Sequence, residues 1–311
     1  MAGLRIACVG ECMIELNQRD PATLALAFGG DTLNTALYLA RINPPGRLAV
    51  DYVTALGDDP YSDEMLAMWR AEGIGTAQVA RLPGKLPGLY LIRLDRRGER
   101  RFFYYRSAAA ARELFRDAAT APLLAALPGY DLVYFSAITL SILSDAARDR
   151  FFAALGAARE AGHRVAFDGN YRPAGWPDAA TARRVVERFL TRVDIALPTF
   201  EDEQRLFGDA DPAATVARCA AYGVAEVAVK LGAEGCLTDC AGKRRHVAVP
   251  ERIVPVDTTA AGDAFNAGYL TLRLAGRAVE AAALAGHRLA AAVIRHPGAI
   301  IPRAAMPHLA L

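Results

Sequence analysis

Val256-Asp257-Thr258-Thr259-Ala260-Ala261-Gly262-Asp263-Ala264-Phe265 joins an extended, β-branched run to a set of small residues that opens an Ala-rich helix reaching about Leu274. The first N–H groups of a helix have no partner within it, and its aligned peptide dipoles add about half a positive charge there. Small side chains let an anion such as a phosphate reach those groups. Asp263 is out of place beside an anion unless it is used. A carboxylate in the first turn, next to a phosphate, is well placed to take a proton from an attacking hydroxyl. Taken alone, an Asp there simply complements the helix dipole, so the choice between the two readings falls to the surrounding sequence.

Working outward, 131–138, 164–168, 195–198 and 226–231 are short β-rich runs separated by helical segments. That alternation predicts right-handed βαβ units and a mostly parallel, doubly wound α/β sheet flanked by helices. Leu4 to Gly10 reads as a buried strand ending in glycine, and Cys12 to Leu16 as a half-exposed one. Phe28-Gly29-Gly30 breaks the backbone, and Asp31 reads as the N-cap of a helix to about Ile42. A strand over 51–56 and a helix from about Ser62 to Glu72 follow. A late edge hairpin over 236–239 and 246–249, and a last Ala-rich helix over about 277–294, complete the chain.

Between 89 and 106 the pattern is a hairpin: two strand-like runs flank Arg96-Arg97-Gly98, a loop ending in glycine. Pairing Asp95 with Glu99 sets Ile92 opposite Phe102 and Tyr90 opposite Tyr104. Tyr90, Ile92, Phe102, Tyr104 and Arg106 then share one face. Isolated hairpins are marginal, so this one should pair with 11–29 as a small β lid over the C-terminal edge of the main sheet, where open α/β folds bind ligands. The expected division is a body of 1–10, 30–86 and 108–311 and a discontinuous lid of 11–29 and 87–107. The outer lid face, with Leu91, Phe103 and Tyr105, is apolar enough to predict a homo-oligomer.

Of 311 residues, 36 are Lys or Arg and 34 are Asp or Glu, a net +2 that excludes the broad basic surface of a nucleic-acid or membrane-surface binder. Five cysteines without a CxxC pair give no disulfide framework or zinc site, and the scattered histidines give no metal site. No run of about 20 apolar residues suits a membrane span. A cytoplasmic location is the expectation.

The segment 258–269, TTAAGDAFNAGY, resembles the second signature of the ribokinase-like (PfkB-type) carbohydrate kinases, and Gly29-Gly30…Asn34 resembles their first. The resemblance spans about residues 4 to 303. Gly10-Glu11-Cys12-Met13-Ile14-Glu15-Leu16, 28–35, Leu86-Pro87-Gly88-Leu89-Tyr90, Asn170-Tyr171-Arg172-Pro173 and 295–303 resemble most the members that phosphorylate 2-keto-3-deoxygluconate. It implies Asp263 as general base and the N–H groups of Ala261, Gly262 and Asp263 as the anion hole for the transferring phosphoryl group. The family often has Gly where Ala260 stands, among the nucleotide-binding residues. Gly30 and Asn34 would bind the sugar, with Tyr90 and Tyr104 on the hairpin. A neutral sugar needs no arginine, but a sugar acid presents a carboxylate that suits an arginine fork, so Arg106 and Arg172 are the carboxylate candidates.

For ATP the resemblance marks Asn170, Arg172, Lys230, Gly232, Gly235 and Gly262, with His287 at an adenine-side position where the sugar-acid members often show Gly-His. Magnesium would arrive with ATP. The Asn-x-x-Glu slots of many relatives hold Thr199 and Asp202 here, with Glu203 adjacent, and the sequence leaves open which carboxylate supports the ion. The alternatives are a ribokinase- or fructokinase-like kinase of a neutral sugar, and a non-catalytic sugar or nucleotide sensor on the same fold.

Overall fold

Side-chain alternation assigns each residue of the first strand, β1 (Leu4–Val9), to one of two cores: Ile6 and Cys8 pack on one face, Ala7 and Val9 on the other, all fully buried. Burial on both faces is what an interior parallel strand requires. The computed structural model describes residues 3–20, 22–43, 46–94 and 100–309.

After β1 come β2 (Met13–Asp20), β3 (Thr23–Gly29), α1 (Asp31–Ile42), β4 (Leu48–Leu56), α2 (Pro60–Ala71), β5 (Val79–Arg81), β6 (Gly88–Leu94), β7 (Arg100–Tyr105) and α3 (Ala121–Ala126). Next are β8 (Leu132–Ser136), α4 (Ala137–Ile142), α5 (Asp145–Glu160), β9 (Arg164–Asp168), α6 (Ala179–Leu190), β10 (Ile195–Ala196), α7 (Phe200–Phe207) and α8 (Pro212–Ala221). The chain closes with β11 (Glu226–Lys230), β12 (Cys236–Cys240), β13 (Lys243–Val247), α9 (Ala261–Leu274) and α10 (Val279–Val293).

The main sheet runs β13-β12-β11-β10-β9-β8-β1-β4-β5, parallel from β5 to β11, with β12 and β13 as an antiparallel edge. Leu33 and Leu37 of α1, Phe265 of α9 and Leu289 of α10 fill the core on one face; Phe151 of α5 and Phe189 of α6 fill the other. This is the expected doubly wound α/β sheet. A second sheet, β3-β2-β6-β7, joins the two early segments through a parallel β2–β6 pair. Tyr90 stands opposite Tyr104 and Ile92 opposite Phe102, the register read from the sequence. The loop Arg96-Arg97-Gly98 and its Asp95–Glu99 pair lie outside the described residues.

Two local readings need correction. Cys12, Met13, Ile14 and Glu15 are buried rather than half-exposed, because β2 is an inner strand of the small sheet. Asp31 is the first helical residue, not the cap: Gly30 holds the cap position in extended backbone with no side-chain bond. The Asp31 carboxylate is thereby free to point elsewhere. By contrast, α2 begins two residues earlier than expected, since the Asp59 side chain accepts from the Tyr61 and Ser62 N–H groups and Pro60 fits the first helical turn.

Candidate active site

The C-terminal ends of β9 and β11, the start of α1 and the 255–263 segment entering α9 meet around a cavity of about 850 Å³. Met13, Tyr90, Phe102 and Tyr104 of the small sheet close its other wall. Of the residues singled out in the sequence, Gly30, Asn34, Tyr90, Tyr104, Asn170, Arg172, Lys230, Ala260, Ala261, Gly262 and Asp263 all line it.

Asp263 is buried, and burial together with the nearby Asp31 charge raises its carboxyl to about 8. Asn34 Nδ2 donates to Asp263 Oδ2 at 2.8 Å and opposes that shift. Asn34 therefore holds the carboxylate, and its own Oδ1 is buried without a partner among the described residues. Behind Asp263, Lys230 Nζ meets Asp168 Oδ1 at 3.0 Å and Asn266 Oδ1 at 3.1 Å, while Asn266 Nδ2 donates to Asp168 Oδ2 at 2.8 Å. A Cβ placed on Gly262 would stand 3.5 Å from that ammonium, so the lysine sits directly under the start of α9.

The α9 start differs in detail from the expectation. Ala261 N–H already donates to Thr258 O at 3.2 Å, which leaves Gly262 and Asp263 without backbone acceptors among the described residues. Ala260 adopts the left-handed region, φ 61° and ψ 13°, a conformation that favours glycine. The segment is anchored by Asp257, whose carboxylate accepts from Thr259 N–H at 3.0 Å, from its hydroxyl at 2.7 Å and from Gly298 N–H at 2.6 Å.

Other candidates are placed less directly. Tyr90 lines the cavity, but its hydroxyl donates to the buried Glu15 at 2.5 Å. Gly30 is needed for space, since a Cβ there would meet Glu11 O at 2.1 Å. Arg106 does not line the cavity; its guanidinium pairs with Glu11. Arg172 is half-exposed and pairs with Asp202 at 3.0 Å. Gly232 and Gly235 form the β11–β12 turn and do not line the cavity, with φ of 56° and 94°, and a Cβ on Gly235 would meet Val247 O at 2.2 Å. His287 is a core residue: its ring lies 5.1 Å from that of Phe265, Nε2 contacts Val247 O at 3.1 Å, and burial lowers its pKa.

Asp31 and Asp168 were missed as site residues. Asp31 Oδ2 accepts from Asn170 Nδ2 at 2.8 Å, and burial raises its carboxyl. Asp168 was legible in principle, as a carboxylate at the C-terminal end of a parallel strand. Asp202 faces the cavity, whereas Glu203 is turned to Arg218 at 2.6 Å and is raised by burial to about 7. Among the described residues no three His, Cys, Asp or Glu side chains form a metal cage, and no helix is long and apolar enough to cross a membrane.

The family model for pfkB family carbohydrate kinases matches residues 4–306. The chain belongs to that family. It is similar to 2-dehydro-3-deoxygluconokinase of Dickeya dadantii (strain 3937), 45% identical, covering 99% of this chain and 100% of the relative. It is also 44% identical to the protein of that name in Escherichia coli (strain K12), covering 97% and 99%. The crystal structure of 2-dehydro-3-deoxygluconokinase from Thermotoga maritima superposes with a TM-score of 0.83 over 96% of each chain, and at 22% identity that likeness speaks for the fold alone.

Proposed function

We propose that this pfkB-family enzyme is an ATP-dependent kinase that converts 2-keto-3-deoxygluconate (2-dehydro-3-deoxygluconate) to 2-keto-3-deoxy-6-phosphogluconate. The observation that carries the chemistry is Asp263, buried at the helix start and facing the cavity with the Gly262 and Asp263 N–H groups beside it. The near-full-length similarity to sugar-acid kinases supports the substrate.

The sugar hydroxyl to be phosphorylated lies against Asp263, which takes its proton as the oxygen bonds to the γ-phosphorus of ATP and the bond from that phosphorus to the bridging oxygen breaks, releasing ADP. Burial makes this carboxylate a stronger base than one in water. The free N–H groups at the α9 start and the Lys230 ammonium stabilise charge on the phosphoryl oxygens. ATP extends from there toward the β11–β12 turn of Gly232 and Gly235 and the α10 side of His287. Magnesium is part of the nucleotide substrate, held mainly by phosphates and water. Asp202, which faces the cavity, is the carboxylate suited to support it.

The small sheet acts as the lid, and its aromatic face excludes water from the sugar. Across its other face, Leu26, Leu16, Leu91 and Phe103 fall in one row, and Leu26 and Phe103 are exposed. This row is where a second copy would pair. A dimer mass by light scattering at micromolar concentration is the expected result, and a monomer refutes it.

The functional test is an ATP-coupled assay over sugar acids and neutral sugars. Preference for 2-keto-3-deoxygluconate is expected; preference for fructose or ribose would select the neutral-sugar reading.

A further inference from the structure

Glu11 is a buried charge that the mechanism above leaves idle. It lies two residues after β1, its side chain is 1% exposed, and it pairs with Arg106, the residue after β7. The pair therefore ties the main sheet to the small one. It is also incompletely satisfied: only Arg106 Nη2 and Glu11 Oε2 meet, while Arg106 Nε and Glu11 Oε1 are buried without partners among the described residues.

Arg106 stands close to the cavity without lining it. Tyr104, two residues earlier in β7, does line the cavity, and the charges of Arg106 and Arg172 both act on its hydroxyl. Gly88 leaves room for the pair, since a Cβ there would stand 2.8 Å from Glu11 Oε1 and 3.1 Å from Arg106 Cβ. Swinging Arg106 away would strand Glu11 as an unpaired charge in a dry site. The guanidinium is thus held in place, with donors left over. An arginine fork can serve one carboxylate while presenting its remaining N–H groups to a second.

We propose that Glu11 is a positioning residue that fixes the Arg106 guanidinium for the substrate carboxylate and thereby sets the preference for sugar acids over neutral sugars. This rests on the sugar-acid reading above. Lysine at 106 cannot replace the arginine, because one ammonium lacks the planar fork that spans two carboxylates.

The test is a double-mutant cycle on the full chain, with steady-state kinetics in both substrates. Glu11→Gln keeps volume and removes the charge. It should raise KM for 2-keto-3-deoxygluconate about tenfold, the scale of a weakened charge-assisted hydrogen bond, with kcat and KM for ATP within about twofold. Neutral-sugar turnover should not change. In an Arg106→Ala background, Glu11→Gln should add nothing. Equal KM losses in both backgrounds, or losses shared by ATP, would reduce Glu11 to a structural role and overturn the proposal. Should Glu11→Gln lose its cooperative thermal transition, Arg106→Lys serves as the second variant; a KM for the sugar acid equal to wild type would overturn the proposal as well. The readings fail separately: wild type preferring a neutral sugar rejects the sugar-acid function, whereas an effect of Arg106→Ala without one of Glu11→Gln rejects only this inference.

Discussion

The two walls of the cavity are built on different terms. On the main-sheet wall, Asp263, Asn34, Asp168, Lys230 and Asn266 are all buried and hold one another through hydrogen bonds of 2.8–3.1 Å. On the small-sheet wall, Phe102 and Tyr104 are nearly half exposed, with ring centroids 6.3 Å apart, and the firm attachments are the Tyr90–Glu15 bond and the Arg106–Glu11 pair. On the proposed function, the fixed charge that a phosphoryl transfer depends on is supplied by this buried, mutually hydrogen-bonded wall. A substrate must enter and be selected, so the second is a thin four-stranded sheet carrying aromatic surface. On the proposed function, catalysis belongs to the first wall and selection to the second, and mutations should divide between them.

The largest effect belongs to the main-sheet wall. Asp263→Asn should lower kcat by at least ~10², the usual worth of a general base, with an unchanged fold by circular dichroism; unaltered turnover would remove Asp263 from the mechanism. Next comes the selecting wall: Arg106→Ala should raise KM for 2-keto-3-deoxygluconate by about 10- to 100-fold and leave KM for ATP unchanged. Equal losses for sugar acids and neutral sugars would erase the distinction between the walls.

Proton linkage gives a third effect. With Asp263 raised to about 8, kcat/KM should climb tenfold per pH unit below that value and level off above it. Asn34→Leu removes a hydrogen bond that favours the charged form, so the inflection should move upward; a downward move would assign Asn34 elsewhere. Stability carries the opposite sign. A folded carboxyl raised from its ordinary 3.8 to about 8 stabilises the fold fully below 3.8 and loses that contribution as pH rises through 8. Asp263→Asn should therefore gain thermal stability relative to wild type between pH 4 and 8, as read by calorimetry.

The smallest effect concerns Ala260. Glycine adopts its left-handed conformation without strain, so Ala260→Gly should add roughly 0.5–1 kcal/mol by urea unfolding, the strain relieved exceeding the chain entropy lost. Destabilisation would mean that the φ of 61° carries no cost there.

The strand–helix alternation, the hairpin register and the α9 boundaries were legible because alternation and helix-opening residues are local signals. The Asp31 cap was misread for the same reason: local preference favoured a side-chain cap, but Asn170, 139 residues away, takes the carboxylate instead. Asp168 carried a positional signal at its strand end, but its pairing with Lys230 and Asn266 did not show, because those partners are remote in the chain. The packing of His287 on Phe265 and the Val247 carbonyl, and the closeness of that carbonyl to Gly235, likewise depend on residues beyond the reach of local pattern.

The sequence by itself determined the α/β class, the two-part β element and the small-residue helix start that carries Asp263, because periodicity and small-residue runs dictate backbone conformation residue by residue. Tertiary structure alone decided how strongly Asp263 holds its proton, which of Asp202 and Glu203 faces the cavity, and that Arg106 is bound to Glu11. Desolvation and charge pairing depend on distances between residues remote in the chain, and those distances exist only once the sheets have packed.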